Sequence, residues 1–148
     1  MRLEDAGALA RSLMAKHKLR GWTFRFDNAK RRFGSCSFDT KTISVSRHLV
    51  ALNDEGAVRD TILHEIAHAK AGAGHGHDAR WRILAHSIGA TGTRCYDDDK
   101  IHTPLGRWIG RCPVCGYQTQ PRHRRRESSC GKCSSSFDRR FLLTWATA

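Results

Sequence analysis

The sequence predicts an α+β fold in two parts, a domain over residues 1–105 and a small cysteine-stapled module over residues 106–148. Three observations carry that prediction. Helical and two-residue hydrophobic periodicities alternate through the first hundred or so residues. Four of the six cysteines, and more than half of the net positive charge, fall in the last 43 residues. That last segment also holds too few large apolar side chains to make a conventional core. With 148 residues, 39% of them hydrophobic and 27% charged, the chain has material for one modest core and lacks the composition of a disordered protein.

Residues 3–18 place Leu3, Ala6, Ala10, Leu13, Met14 and His17 at helical spacing, with Arg11, Lys16 and Lys18 elsewhere, which predicts an amphipathic packing helix. Gly21 breaks it. Residues 22–26 alternate bulky apolar and polar side chains as a half-buried strand does, and two more strands are expected near 32–37 and 42–45, either side of Asp39, Thr40 and Lys41. Together these predict a small antiparallel sheet. Asn53 is expected to cap the next helix, with Asp54 and Glu55 in its first turn and Val58, Ile62, Ile66 and Ala69 along one stripe. Gly72, Gly74 and Gly76 end that helix. A further helix over 78–87 turns Trp81, Leu84, Ala85 and Ile88 inward and stops near Gly89.

The net charge of +12 and pI of about 10.1 point to a polyanionic partner, nucleic acid first. Residues 1–105 hold 17 basic and 12 acidic side chains, a net of +5, whereas residues 106–148 hold 9 and 2, a net of +7. No stretch approaches the roughly 20 apolar residues needed to span a bilayer, so no membrane partner is expected. Glu4, Asp5 and Arg11 argue against a secretory signal. The expected setting is intracellular, cytoplasmic or nucleoid-associated, and a monomer is favoured. Six cysteines in a reducing compartment are then expected as thiols or metal ligands. Cys36 and Cys95 lack partner spacing and are expected as buried thiols, while His102 and His123 have no assigned role.

The strongest chemical signal is His64-Glu65-Ile66-Ala67-His68, an H-E-x-x-H motif inside a helical stretch. Histidines four apart lie one helical turn apart on one face, so both imidazoles can reach a single metal ion. Ile62 and Ile66 lie roughly half a turn away, so the helix can bury them while presenting His64, Glu65 and His68 to a cleft. Glu65 is placed to take a proton from a water on the metal. A catalytic zinc usually has three protein ligands. A downstream glutamate is excluded as the third, because Glu127, in the basic tail, is the only one after Glu65. The metzincin spacing fails too, since it needs glycine at 71 and histidine at 74, where the chain has Ala71 and Gly74. Either His75 or His77, carried back by the glycine-rich turn, can serve, with Asp78 behind both. His77 has the better claim because it sits at the start of a helix anchored four residues later by Trp81.

These residues resemble the SprT-like zinc metalloprotease family, whose third histidine is typically followed four positions later by an aromatic residue. The resemblance runs from Lys30-Arg-Arg-Phe-Gly-Ser-Cys36, through Ile43-Ser-Val-Ser-Arg-His-Leu49, read as strand and turn, and Asp60-Thr-Ile-Leu63, to His64-Glu-Ile-Ala-His68, Gly-His-Gly-His77 and Trp81. Asp78 stands where glycine is common after the third histidine. The resemblance implies a zincin-like domain with His64, His68 and His77 on a catalytic zinc and Glu65 as the base. The family includes the Spartan proteases, which degrade proteins trapped covalently on DNA.

Cys112-Pro-Val-Cys115 and Cys130-Gly-Lys-Cys133 form C-x2-C-x14-C-x2-C, a spacing that predicts a closed, structural four-sulfur zinc site. Its binding energy would replace the missing core. SprT-like proteins commonly carry such a zinc ribbon. Between the knuckles lie Arg122, Arg124, Arg125 and Arg126, with Arg107, Arg111, Lys132, Arg139 and Arg140 near in sequence. They predict salt-sensitive binding to DNA with little sequence preference. Trp108, Tyr117 and Phe137 could stack on bases or cover the small core. The expected activity is zinc-dependent cleavage of a protein substrate bound or crosslinked to DNA. The competing expectation is a non-catalytic nucleic-acid-binding or transcription-elongation-associated factor with two structural zincs, and hydrolysis of a nonpeptide substrate is a third.

Overall fold

In the structure, a computed structural model, residues 1–93, 101–104, 106–121 and 127–147 are described. The chain divides into two compact units, Met1–Pro104 and Leu105–Ala148. Cys95, His123 and the arginines at 122, 124, 125 and 126 lie outside the described residues.

In the first unit, helix α1 (Leu3–Lys16) buries Ala6, Ala10, Leu13 and Met14 as its periodicity predicts. Strands β1 (Thr23–Asp27), β2 (Gly34–Ser37) and β3 (Thr42–Ser46) form one sheet in the order β1-β3-β2. The sheet is mixed, not antiparallel: β2 and β3 pair antiparallel, but β1 pairs parallel with β3. The cause is the crossing of residues 28–33 over the end of β3. There the Ser46 amide donates to Phe33 O at 2.7 Å and its hydroxyl donates to Ala29 O, so β2 starts one strand beyond β1 and β3 returns into the slot between. A central strand is covered on both faces. Ile43 and Val45 are fully buried, and the polar side chains of β3 find partners: Thr42 pairs with Thr23 Oγ1 at 3.1 Å and Ser44 donates to Asp27 Oδ2 at 2.8 Å.

After β3 the chain forms a short helix, α2 (Arg47–Leu52), in place of the turn expected from the sequence, with Ser46 capping it through Leu49 N. Asn53 ends α2 instead of starting the next helix. Its buried side-chain amide donates to Leu49 O and His102 O at 2.8 and 2.7 Å and accepts from His102 N at 2.8 Å, which gives His102 a structural role through its backbone. The cap of α3 (Glu55–Ala71) is Asp54, whose carboxylate accepts from Ala57 N at 2.8 Å. Val58, Ile62 and Ile66 on α3 are fully buried, together with Phe33, Leu49 and Trp81. Gly72 closes α3 with φ +97, a conformation that glycine adopts without strain. Helix α4 (Ala79–Ser87) follows, capped by Asp78 through Trp81 N at 2.9 Å.

The second unit is an antiparallel sheet in the order β5-β4-β6, built from β4 (Trp108–Arg111), β5 (Gln118–Thr119) and β6 (Thr144–Thr147), with a 3-10 turn at Arg139–Phe141. Cys112 and Cys130 are the fully buried apolar side chains among its described residues, so the expected lack of a conventional core holds there. With the histidine and cysteine clusters described below, the architecture is a zincin-like α+β domain followed by a zinc ribbon. No described helix is long and apolar enough to cross a membrane.

Candidate metal centres

Helix α3 carries His64 and His68 one turn apart, and the cap region of α4 brings His77 to them. Their Nε2 atoms form a near-equilateral triangle: His64 to His68 3.2 Å, His68 to His77 3.2 Å and His77 to His64 3.0 Å. Trp81, fully buried, packs against all three rings, with centroid separations of 4.7, 5.1 and 4.6 Å to His64, His68 and His77. The anchoring expected of Trp81 toward His77 therefore extends to the whole triad. His75 is turned away, its Nδ1 lying 2.7 Å from Asp78 Oδ2, so Asp78 caps α4 and holds His75 rather than joining the cluster.

Three ring nitrogens cannot all share protons within such a triangle, and a cation is the natural occupant. Tetrahedral zinc at about 2.0–2.1 Å from each nitrogen would separate them by about 3.3 Å, so the donor set fits. Two of the rings are also biased toward the lone-pair form. Burial, with His68 and His77 beside it, lowers the His64 pKa to about 4, and burial lowers that of His68 in the same direction.

Glu65 packs against β2 while lining the same cleft as the triangle. Its carboxyl is buried beneath the backbone of β2, and a Cβ placed on Gly34 would stand 2.5 Å from Glu65 Oε1, 2.7 Å from its Cγ and 2.9 Å from Thr61 Cγ2. Burial pushes the Glu65 pKa up to about 8, and Arg32 acts in the opposite direction. The triad and Glu65 open onto a cleft of about 350 Å³ whose other walls include Arg32, Gly34, Cys36, Phe38, Asp60 and Thr93. Cys36 is thus half-buried on the cleft wall rather than a core thiol, and burial beside Glu65 raises its pKa to about 12. Sequence reasoning assigned no role to Arg32 or Gly34. A glycine inside a strand was the available signal, because it marks close approach of another group to the backbone.

In the second unit Cys112, Cys115, Cys130 and Cys133 converge, with Sγ separations of 3.8 Å for Cys112 to Cys133 and 3.6 Å for Cys115 to Cys130. Zinc–sulfur bonds of about 2.3 Å in a tetrahedron imply about 3.8 Å, so this set also fits. Each pair sits on a tight turn, in which Gly116 N donates to Cys112 O at 3.0 Å and Ser134 N to Cys130 O at 3.1 Å. Amides of Cys115 and Val114 point at the Cys112 sulfur and lower its pKa to about 7, while hydrogen bonds to the neighbouring sulfurs push Cys133 up to about 12, so the cluster gives up its first proton readily and holds its last.

Residues 7–101 match the SprT-like family. The chain belongs to the SprT-like family. Among solved structures, the crystal structure of the metallopeptidase zymogen jannalysin of Methanocaldococcus jannaschii is similar to this SprT-like chain, at 18% identity over 64% of this chain and 85% of that one, with a TM-score of 0.49. Among curated proteins none matches. The histidine triangle and Glu65 all lie within the part of the chain that matches the SprT-like family.

Proposed function

We propose that the chain is a zinc metallopeptidase whose basic C-terminal unit brings it to DNA, where it cleaves bound or crosslinked protein. The observation that carries this reading is the buried carboxyl of Glu65 in the cleft beside three converging imidazoles, because a purely structural metal site has no use for a proton acceptor next to its ligands. His64, His68 and His77 would hold the catalytic zinc, and the four cysteines a structural one. Bound at the triad, zinc would supply Lewis acidity to a peptide carbonyl and to a water molecule.

The chain's own residues do the rest. Trp81 fixes the three rings and Gly34 fixes Glu65. The Glu65 carboxylate takes a proton from the attacking water as the new carbon–oxygen bond forms, then gives it to the amine as the carbon–nitrogen bond breaks. The net charge of +7 over residues 106–148, with Lys132 lying over the Tyr117 ring at 5.0 Å, supports phosphate-backbone binding by the second unit.

Glu65→Gln is expected to retain two zincs per chain while losing peptide cleavage. Unchanged cleavage by that variant, or an absence of metal at the triad, would overturn the reading. Truncation after Pro104 is expected to weaken DNA binding and flatten its salt dependence, and an unchanged salt slope would remove the second unit from the account.

A further inference from the structure

The cleft wall carries one feature that the peptidase reading does not use. Arg32 borders the cleft on the loop that crosses the sheet end, and its side chain is 60% exposed, yet it is not adrift. Its Nη2 donates at 2.9 Å to Asp27 Oδ2, and Asp27 is only 13% exposed. The same carboxylate accepts from Ala29 N at 2.9 Å and from Ser44 Oγ at 2.8 Å on the central strand. Asp27 is therefore fixed from three sides, and one edge of the guanidinium is fixed with it. An arginine offers five N–H donors in a rigid plane. Among the described residues Asp27 engages only the Nη2 end of Arg32, which leaves donors directed to solvent and cleft.

The acidic groups of the cleft make no ion pair with this cation among the described residues, although its charge acts on the Glu65 carboxyl. Asp60 accepts from Thr91 N at 2.7 Å and Thr91 Oγ1 at 2.9 Å, and Glu65 is buried under β2. A planar cation, oriented by a buried acid and left with unused donors beside a hydrolytic site, is suited to recognise a planar anion. Its exposure places it at the rim, where it meets substrate, rather than in a water-free pocket around the reacting oxygen.

We propose that Arg32, positioned by Asp27, is a specificity residue that binds a carboxylate of the peptide substrate. The inference rests on the peptidase reading. The carboxylate can come from an aspartate or glutamate side chain or from a free C-terminus, and the two are separable by experiment.

The test uses the zinc-loaded full-length chain carrying Glu65→Gln, so that peptides bind without being cut. It measures affinity for an array of peptides containing aspartate or glutamate, their asparagine and glutamine counterparts, and each with free or amidated C-terminus. Acidic peptides are expected to bind roughly tenfold tighter than their amide counterparts if a side chain is read, and free termini tighter than amidated ones if the terminus is read. Adding Arg32→Ala should erase that preference, Arg32→Lys should restore part of it, and Asp27→Asn should weaken it without abolishing it. Equal binding of acidic and amide peptides, or a preference that survives Arg32→Ala, would overturn the assignment. Cleavage-site profiling of the chain with Glu65 intact separates the two readings, since a carboxylate preference without cleavage would support Arg32 and count against the peptidase.

Discussion

Replacing Gly34 by alanine tests whether the β2 backbone sets the position of Glu65. The φ angle at Gly34 is not in the left-handed region, so alanine is sterically possible for the backbone itself, and the effect comes from the added methyl. That methyl would lie 2.5 Å from Glu65 Oε1 and 2.7 Å from its Cγ. Comfortable contacts are about 3.5 Å, so the carboxyl must retreat by about 1 Å or β2 must move. The strand is held in register, Gly34 opposite Val45 and Cys36 opposite Ile43, and both partners are fully buried, so the carboxyl is the softer element. A displacement of about 1 Å at a reacting group costs about 10²-fold in rate, and overpacking costs about 1–3 kcal/mol in stability. The assay is kcat on a peptide substrate, with zinc content and thermal unfolding measured on the same preparation. Gly34→Ala should keep both zincs, unfold several degrees earlier and lose roughly two orders of magnitude in kcat. Full kcat with full zinc content would refute the claim that the backbone of β2 positions the base.

Three further outcomes are expected. Trp81→Ala removes a fully buried indole that touches all three imidazoles, and should cost about 3–5 kcal/mol by denaturant unfolding while weakening zinc retention against a chelator. In metal-free protein, burial raises the Glu65 pKa to about 8 from 4.5, so the folded chain holds a proton that the unfolded chain releases. The Glu65 contribution to stability should therefore fall as pH rises from about 4.5 to 8, by up to a few kcal/mol, while His64 and His68, lowered by burial, contribute in the opposite sense below about 6.5, so the Glu65 part is read as the difference between the native chain and Glu65→Gln. Glu65→Gln should lack this dependence, and parallel pH curves for the two metal-free chains would contradict it. Cys130→Ser should lower zinc content from two to one per chain and abolish protection of the second unit from proteolysis, while peptide cleavage by the first unit persists.

The helices and the side chains of the two clusters were legible because much of their pattern is local. H-E-x-x-H brings two imidazoles together by helical pitch alone, and each C-x-x-C turn brings two sulfurs together, the convergence of the two turns being the non-local step. That His77 lies beside His64 and His68 was also within reach, since a residue at a helix start anchored by Trp81 is held in place, whereas His75 stands apart from them through its bond to Asp78. The sheet departs from the antiparallel expectation for a non-local reason. Alternation cannot tell an edge strand from a central one, and β3 becomes central through bonds from Ser46 and Ser44 to Ala29 and Asp27, each spanning 17 residues. Asn53 and Asp54 are both good capping residues, and the contact with His102 decides between them. Gly34 and Arg32 matter only once β2 lies over α3, which no periodicity encodes.

The most direct measurement incubates the zinc-loaded chain and its Glu65→Gln variant with one protein, either free or covalently joined to DNA, and follows the products by mass spectrometry. Fragments are expected from the chain with Glu65 intact, accumulating faster from the DNA-joined protein, and none from the variant. Equal fragmentation by both chains, or none by either while both zincs are in place, would contradict the peptidase reading.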